Sequence, residues 1–381
     1  NRPPGADLFL DHVHLQPEGN YLLAKRFAEQ IIAHLGNPPG PTYWLSLDAC
    51  LERLGWSAFA EVRLWNQIKT LTERPPFSHQ SNAELRNRFL DDRLNEASRA
   101  ARRKGLAASI GQVQAVVAQH PTDWNVREQL ARLLQANRQW SNAATELQQV
   151  VAIAPGHVVG WYQLGESLAK AGNPKAALPA YQKALEIRPD FVEARLGLGL
   201  SLGEAGQLEA ALESIDSALK YSPKNLQAQV NRGIALNALG RFDEAVAEFK
   251  RAALDHPDSI LPLVRLGDLL STRKDYGGAV YAYAEAARRE PTNAAATHRL
   301  AIELSRAGHI PDAVAAFRQA LTLQPNFVDA RLDLGVALAQ QARFAEAIPE
   351  FEAALQVQPT NSLALKYLQL AREKLGQNGV R

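Results

Sequence analysis

Eight prolines recur along this chain at one fixed spacing of 34 residues. They are Pro121, Pro155, Pro189, Pro223, Pro257, Pro291, Pro325 and Pro359. A fixed period of this length is typical of stacked structural repeats, in which each repeat buries its apolar face against its neighbours. The spacing therefore predicts that most of the chain, from about Leu90 onward, folds as one continuous array.

Composition and charge argue against several classes of function. Lysine and arginine number 42 against 40 aspartates and glutamates, so no net field favours nucleic acid or an anionic membrane. No apolar run approaches the roughly 18 residues that a membrane-spanning helix needs. A single cysteine, Cys50, cannot form an intrachain disulfide and leaves the cellular compartment undetermined. We expect neither a cofactor nor a metal ion.

Small and large residues alternate at fixed places within the period. With the proline numbered as position 32, the repeats begin at Trp124, Val158, Val192, Leu226, Ile260, Ala294 and Val328. Positions 8, 20 and 27 then carry mostly glycine or alanine, and position 24 carries a large apolar residue. Small residues let two helix axes approach, and the large residue fills the space between them. The pattern predicts a pair of antiparallel helices in each repeat, closed by the proline.

One repeat displays a known signature almost in full: Trp161, Leu164, Gly165, Tyr181, Ala184 and Pro189. These residues resemble the tetratricopeptide repeat family. The resemblance implies an all-α, right-handed superhelical solenoid of antiparallel helix pairs. Seven repeats fit residues 124–361, a degenerate repeat over 90–123 caps one end, and a helix over 362–376 closes the other before a tail at 377–381.

The resemblance also implies a binding surface. In this family the first helix of each repeat lines a concave groove, mainly through positions 2, 5, 6, 9, 12 and 13. Arg132, Lys170 and Arg306 lie at such positions and could meet carboxylates at the rim. The groove candidates are Leu196, Leu200, Val230, Asn231, Ile234, Leu261, Val264, Arg265, Arg299, Ile302, Leu332 and Val336. The alternative for any single aliphatic member is packing against a neighbouring helix.

Two ligand classes known in the family fit poorly. A clamp for a C-terminal carboxylate needs five polar residues, and only Asn231 and Arg265 stand in line with it. Leucines occupy the other three places, at Leu196, Leu200 and Leu261. An asparagine ladder of the glycosyltransferase type would need more than Asn125 and Asn231. The sequence instead favours an extended or helical segment laid against an aliphatic groove.

The front of the chain has a different character. Asp11 and His14, followed by Gly19-Asn20 and an amphipathic stretch, resemble the last block of the SGNH or GDSL hydrolases over residues 1–36. The resemblance implies that Asp11 orients His14, which acts as general base for a serine. The family's Gly-Asp-Ser nucleophile block is missing from this sequence, so we expect no esterase activity from it. A metal pair of His12 and His14 is less favoured, because two ligands leave most of a coordination shell unfilled.

These features predict a truncated remnant of an α/β hydrolase domain over 1–36, a proline-rich linker over 37–42 and a helical adaptor over 43–89. Since Asn1 is no translation start, we interpret the chain as the C-terminal part of a longer, bacterial-looking protein. The leading hypothesis is an interaction scaffold. The alternative is a full-length serine esterase for a carbohydrate or lipid ester, positioned by the array. A Gly-Asp-Ser block in the full-length gene would separate the two.

Overall fold

The computed structural model of the chain describes residues 62, 66, 69, 70 and 83–378. Throughout these residues the secondary structure is helical, without β-strands, which confirms the predicted all-α array for this part of the chain. The predicted hydrolase remnant and linker lie outside the described residues, as does most of the adaptor. The chain divides into two compact units, one ending at Pro189 and the other beginning at Asp190.

The first unit contains six helices over residues 83–189. The first is α1 (Ala83–Lys104), which begins in the predicted adaptor and continues into the predicted terminal cap, and the second is α2 (Leu106–Gln119), which lies within the predicted cap. Two helix pairs follow: α3 (Trp124–Ala136) with α4 (Trp140–Ile153), and α5 (Val158–Lys170) with α6 (Pro174–Ile187). Helices α3 and α5 begin at the first position of their repeats, where the 34-residue period places them.

The second unit contains five helix pairs and a closing helix. The pairs are α7 (Val192–Glu204) with α8 (Leu208–Tyr221), α9 (Leu226–Ala238) with α10 (Phe242–Asp255), α11 (Leu261–Thr272) with α12 (Tyr276–Arg289), α13 (Ala294–Arg306) with α14 (Ile310–Leu323), and α15 (Val328–Gln340) with α16 (Phe344–Val357). Helix α17 (Ser362–Asn378) follows. Odd-numbered helices from α3 onward are the first helices of the repeats, and α17 stands in the same register.

Every turn between the two helices of a repeat places position 15 in the left-handed backbone region. Glycine occupies it in four repeats, as at Gly240 with φ of 75°. Three repeats have side chains there instead, at Arg138, Lys274 and Ala342, with φ between 56° and 61°. A residue with a Cβ pays about 1–2 kcal/mol in this conformation, so these three turns are locally strained.

Within each repeat, position 24 of the second helix packs onto position 8 of the first. A Cβ added to Gly233 would lie 2.5 Å from the Phe249 ring, and one added to Gly335 would lie 2.5 Å from the Phe351 ring. The alanines at positions 20 and 27 are almost fully buried beside these contacts, as at Ala245. The structure confirms that the small residues allow close approach of the two helices.

The prolines that mark the period are tied to the next repeat through their carbonyl groups. Arg127 Nε donates to the Pro121 carbonyl at 2.7 Å, and Trp161 Nε1 donates to the Pro155 carbonyl at 2.8 Å. Arg331 Nη2 does the same to the Pro325 carbonyl at 2.8 Å. All three donors occupy position 4. The residue type therefore varies, but a side-chain donor six residues after the proline recurs in each of these turns.

Candidate functional site on the first-helix face

The first helices of the second unit, α7 to α17 in odd numbers, lie side by side and contact one another in succession. We call their surface at positions 2, 5, 6, 9, 12 and 13 the first-helix face. Position 9 forms one row along it: Leu200, Ile234, Asp268, Ile302, Val336 and Leu370. Leu200, Ile234 and Leu370 are 49, 44 and 49% exposed. Five of the six members are aliphatic, so the face presents an apolar row with one acidic interruption.

Position 5 is buried in the repeats that carry Leu196, Val230 and Leu332. Leu196, Val230 and Leu332 are at most 8% exposed and belong to the hydrophobic cores between the helices. Asn231 at position 6 is buried as well. For the three aliphatic candidates the structure shows the packing that the sequence left open as an alternative, and Asn231 is buried beside them.

The remaining groove candidates are at least partly accessible. Leu261 and Val264 on α11, like Ile302 and Val336 further along, are partly buried and pack against the core clusters. Arg265 and Arg299 are exposed. The accessible part of the predicted groove is therefore the position-9 row with its flanking arginines.

A charged cluster surrounds Asp268 at the interruption of the row. The Tyr283 hydroxyl donates to Asp268 Oδ1 at 2.7 Å, and Arg299 Nη1 donates to the same oxygen. Arg265 Nη1 lies 3.6 Å from the other carboxylate oxygen. Burial raises the pKa of the Tyr283 hydroxyl well above its usual range, and the bond to Asp268 raises it further. The hydroxyl therefore remains a donor over the working range of pH.

A second cluster lies one turn further along the same two helices. Ser271 Oγ and Arg306 Nη1 both donate to Glu303 Oε1, at 2.9 and 2.8 Å. Glu303 is only 3% exposed, and its Oε2 is buried without a protein hydrogen-bond partner. An unsatisfied buried acceptor costs about 1–3 kcal/mol. Two donors on one oxygen and none on the other leave this carboxylate incompletely satisfied.

A third polar contact joins α13 to α15. His298 Nε2 lies 2.8 Å from Asp333 Oδ2, and the imidazole packs against the Phe327 ring at 4.7 Å between centroids. His298 occupies position 5, where other repeats bury Leu196, Val230 and Leu332. The polar and charged contacts of the face are thus concentrated on α11 and α13, beside the aliphatic residues that these helices also carry.

Family models for the tetratricopeptide repeat match residues 158–191, 196–260 and 298–362. The chain carries tetratricopeptide repeats. Together with the helical architecture, this confirms the predicted repeat type. None of the matched segments includes Asp11 or His14, and no curated protein matches the chain.

Three solved structures resemble parts of the chain. One, described as "YrrB: a TPR protein with an unusual peptide-binding site", is 22% identical with a TM-score of 0.40, and the match covers 49% of this chain and 96% of YrrB. A tetratricopeptide repeat protein from Parabacteroides merdae is 16% identical with a TM-score of 0.46, covering 65% of this chain and 98% of that one. MamA from Desulfovibrio magneticus is 19% identical with a TM-score of 0.39, covering 45% and 97%.

The tetratricopeptide repeats of the first unit also join their first helices through polar contacts. Gln135 Nε2 donates to Ser167 Oγ at 2.9 Å. This bond joins position 12 of one repeat to position 10 of the next, as does the bond between Ser271 and Glu303. Glu128 accepts from Arg132 at 2.7 Å and lies 3.2 Å from His157 Nε2. Lys170 bonds to Glu166 and lies over the Trp140 ring. The two rim candidates here, Arg132 and Lys170, are therefore engaged within their own unit.

Sequence reasoning missed two residues of this face, Asp268 and Leu370, and two residues that bond to it, Tyr283 and Glu303. Leu370 lies 34 residues after Val336, so extending the period past the last proline would have placed it in the row. Asp268 also stands at position 9, where its charge interrupts an aliphatic series. Tyr283 and Glu303 offered no comparable signal, since their role depends on side chains from neighbouring helices.

The predicted catalytic pair, Asp11 and His14, lies outside the described residues, so the hydrolase interpretation stays a prediction. Among the residues that the structure describes, no group of three or more His, Cys, Asp or Glu side chains could hold a metal ion. No helix in the same part of the chain is long and apolar enough to cross a membrane.

Proposed function

We propose that this chain is a protein–protein interaction scaffold that binds a peptide or protein segment on the first-helix face of its second unit. The proposal depends on the exposed aliphatic row, with Leu200, Ile234 and Leu370 each more than 40% exposed. Fully covering one leucine or isoleucine side chain contributes about 1.5–3 kcal/mol. These side chains are already about half buried, so covering one contributes roughly half of that, and a segment that covers several members of the row adds these contributions together.

Protein is a better partner for this face than nucleic acid. The arginines of the face lie beside carboxylates: Arg299 and Arg265 at Asp268, and Arg306 at Glu303. A phosphate backbone would compete with these acids and would find no continuous basic surface. An apolar row with paired charges suits a segment that carries aliphatic side chains of its own.

The test compares the wild-type chain with a Leu200→Glu/Ile234→Glu variant in a quantitative pull-down. The matched control is Leu254→Glu, because Leu254 is 80% exposed but lies on the second helix α10. We expect the same partners with the wild type and with Leu254→Glu, and their loss from the double variant. Circular dichroism establishes that all three proteins are equally folded. Equal recovery of the partners by the double variant would refute the aliphatic row as the binding surface.

A further inference from the structure

The single acid in the position-9 row constrains what can bind there. Asp268 lies between Ile234 and Ile302 along the row, and it holds Arg265 and Arg299 beside it. An entirely apolar segment laid over the row would remove these charged groups from water without giving them new partners. Burying charges in that way is costly. A segment that covers the whole row therefore needs a polar group at this point.

Donors outnumber acceptors around Asp268. Each guanidinium carries five N–H donors, whereas a single carboxylate accepts about four hydrogen bonds. Tyr283 already uses one of those acceptor sites. Two positive charges against one negative charge leave this cluster net positive, and the side chains of Arg265 and Arg299 are both 46% exposed. A carboxylate from the ligand satisfies both the charge and the spare donors.

The neighbouring acidic residues do not supply a further carboxylate to Arg265 and Arg299. Asp333 faces His298, and Glu303 is buried under Ser271 and Arg306. Arg306 adds a third partly exposed guanidinium at the same end of the helices. An incoming carboxylate beside Arg265 and Arg299 therefore enters a locally cationic site.

The spacing of the helices selects the backbone conformation of the ligand. Packed helices lie roughly 8–10 Å apart, so successive members of the row are separated by about that distance. A polyproline II helix rises about 3.1 Å per residue with 3 residues per turn, which brings every third side chain to one face about every 9 Å. A β-strand presents every second side chain to one face, about every 7 Å, which is shorter than this separation.

We propose that the first-helix face binds an internal, polyproline II-like segment with an aliphatic residue at every third position and one acidic residue in the middle. The aliphatic residues cover Leu200, Ile234, Ile302 and Val336, and Arg265 with Arg299 holds the central carboxylate. The inference rests on the proposed function and specifies the ligand for that same surface.

The proposed ligand is tested by measuring the binding of short peptides to the whole chain by fluorescence anisotropy. The probe is LPSLPSEPSLPSL, acetylated and amidated so that no terminal carboxylate contributes. The comparison peptides replace the central Glu by Gln or by Lys. The protein variants are Arg265→Gln/Arg299→Gln, Leu200→Glu/Ile234→Glu and the control Arg288→Gln, whose arginine is exposed on the second helix α12.

We expect the Glu peptide to bind about tenfold more tightly than the Gln peptide, as one charge-assisted contact allows, and the Lys peptide to bind more weakly still. The preference for Glu should disappear in the double arginine variant and persist in Arg288→Gln. If the Glu and Gln peptides bind the wild type equally but lose affinity for Leu200→Glu/Ile234→Glu, the acidic site is wrong and the aliphatic row stands. If no peptide binds, the ligand assignment is overturned, and the pull-down decides the proposed function separately.

Discussion

The contacts that close each repeat and the residues of the first-helix face belong to the same helices but differ in how much they vary. The contact of position 8 with position 24 recurs from repeat to repeat, and the bond from position 4 to the proline carbonyl recurs in the repeats that carry Arg127, Trp161 and Arg331. The first-helix face changes instead from leucine at Leu200 to aspartate at Asp268 within two repeats. Stacking needs the same internal geometry everywhere, whereas a ligand meets each repeat at a different point.

This comparison predicts that different positions of a repeat determine the stability of the chain and the binding of a ligand. Substitutions inside a repeat should lower the free energy of unfolding, because neighbouring repeats add their stability through shared interfaces. Substitutions on the exposed first-helix face should leave it nearly unchanged.

The largest effect is expected for Phe249→Ala. Its ring is 2% exposed and fills the space above Gly233, so truncation should cost about 3–5 kcal/mol of unfolding free energy. Urea unfolding of the whole chain measures it. Ile234→Ala, one residue after Gly233 but 44% exposed, is the matched control and should cost less than about 1 kcal/mol. Similar losses in the two variants would contradict the separation.

A smaller loss is expected for Arg331→Met. This change removes the donors to the Pro325 carbonyl and the ion pair with Glu350 at 2.9 Å, and it should cost about 1–2 kcal/mol. The matched variant Arg318→Met breaks a pair whose side chains are about half exposed, so it should change stability by less than about 1 kcal/mol. The idea that position 4 secures the turn fails if the two variants unfold at the same urea concentration.

The substitution Ala342→Gly is expected to increase the stability of the chain. Ala342 has φ of 59° in the turn between α15 and α16, so glycine should stabilise the chain by about 0.5–1 kcal/mol, after allowance for its greater freedom when unfolded. The reverse change, Gly240→Ala at φ of 75°, should destabilise it by a similar amount. Thermal unfolding measures both. A lower melting temperature for Ala342→Gly would rule out strain at this turn.

The smallest effect concerns pH. Arg288, and next Arg289, lower the pKa of Glu285 from 4.5 to about 2. A carboxylate with a depressed folded-state pKa contributes stability above about pH 4.5, and that contribution is lost as pH falls toward about 2. The pairs lie near solvent, so we expect less than about 1 kcal/mol. Glu285→Gln should flatten this part of the pH dependence, and an unchanged slope would exclude Glu285 as its source.

Most of the helix starts could be predicted from the 34-residue spacing of the prolines. Helices α3, α5, α7, α9, α13 and α15 begin at the first positions assigned from the prolines. Only α11 begins one residue later, at Leu261, where Pro262 occupies an early position of the helix. A proline lacks the backbone donor that the interior of a helix needs, but it is accommodated in the first turn.

Exposure on the first-helix face was harder to predict. Positions 5 and 9 both face neighbouring first helices in the sequence pattern, yet Val230 is buried and Ile234 is not. The difference depends on how closely adjacent helices pack, which the period does not encode. The charged cluster was missed for a related reason: Asp268, Tyr283 and Arg299 come from three helices and form a cluster only when the repeats stack.

The hydrogen bond from position 4 to the proline carbonyl decides where the array can be divided. The bond spans six residues across the boundary between two repeats, from Pro325 to Arg331 in one case. A fragment that begins at Val328, the first residue of its helix, would leave Arg331 without this acceptor. A fragment that begins at Pro325 keeps it. In a repeat of this kind the segment that keeps its own turn bond therefore starts at the proline, three residues before the first helix of the repeat.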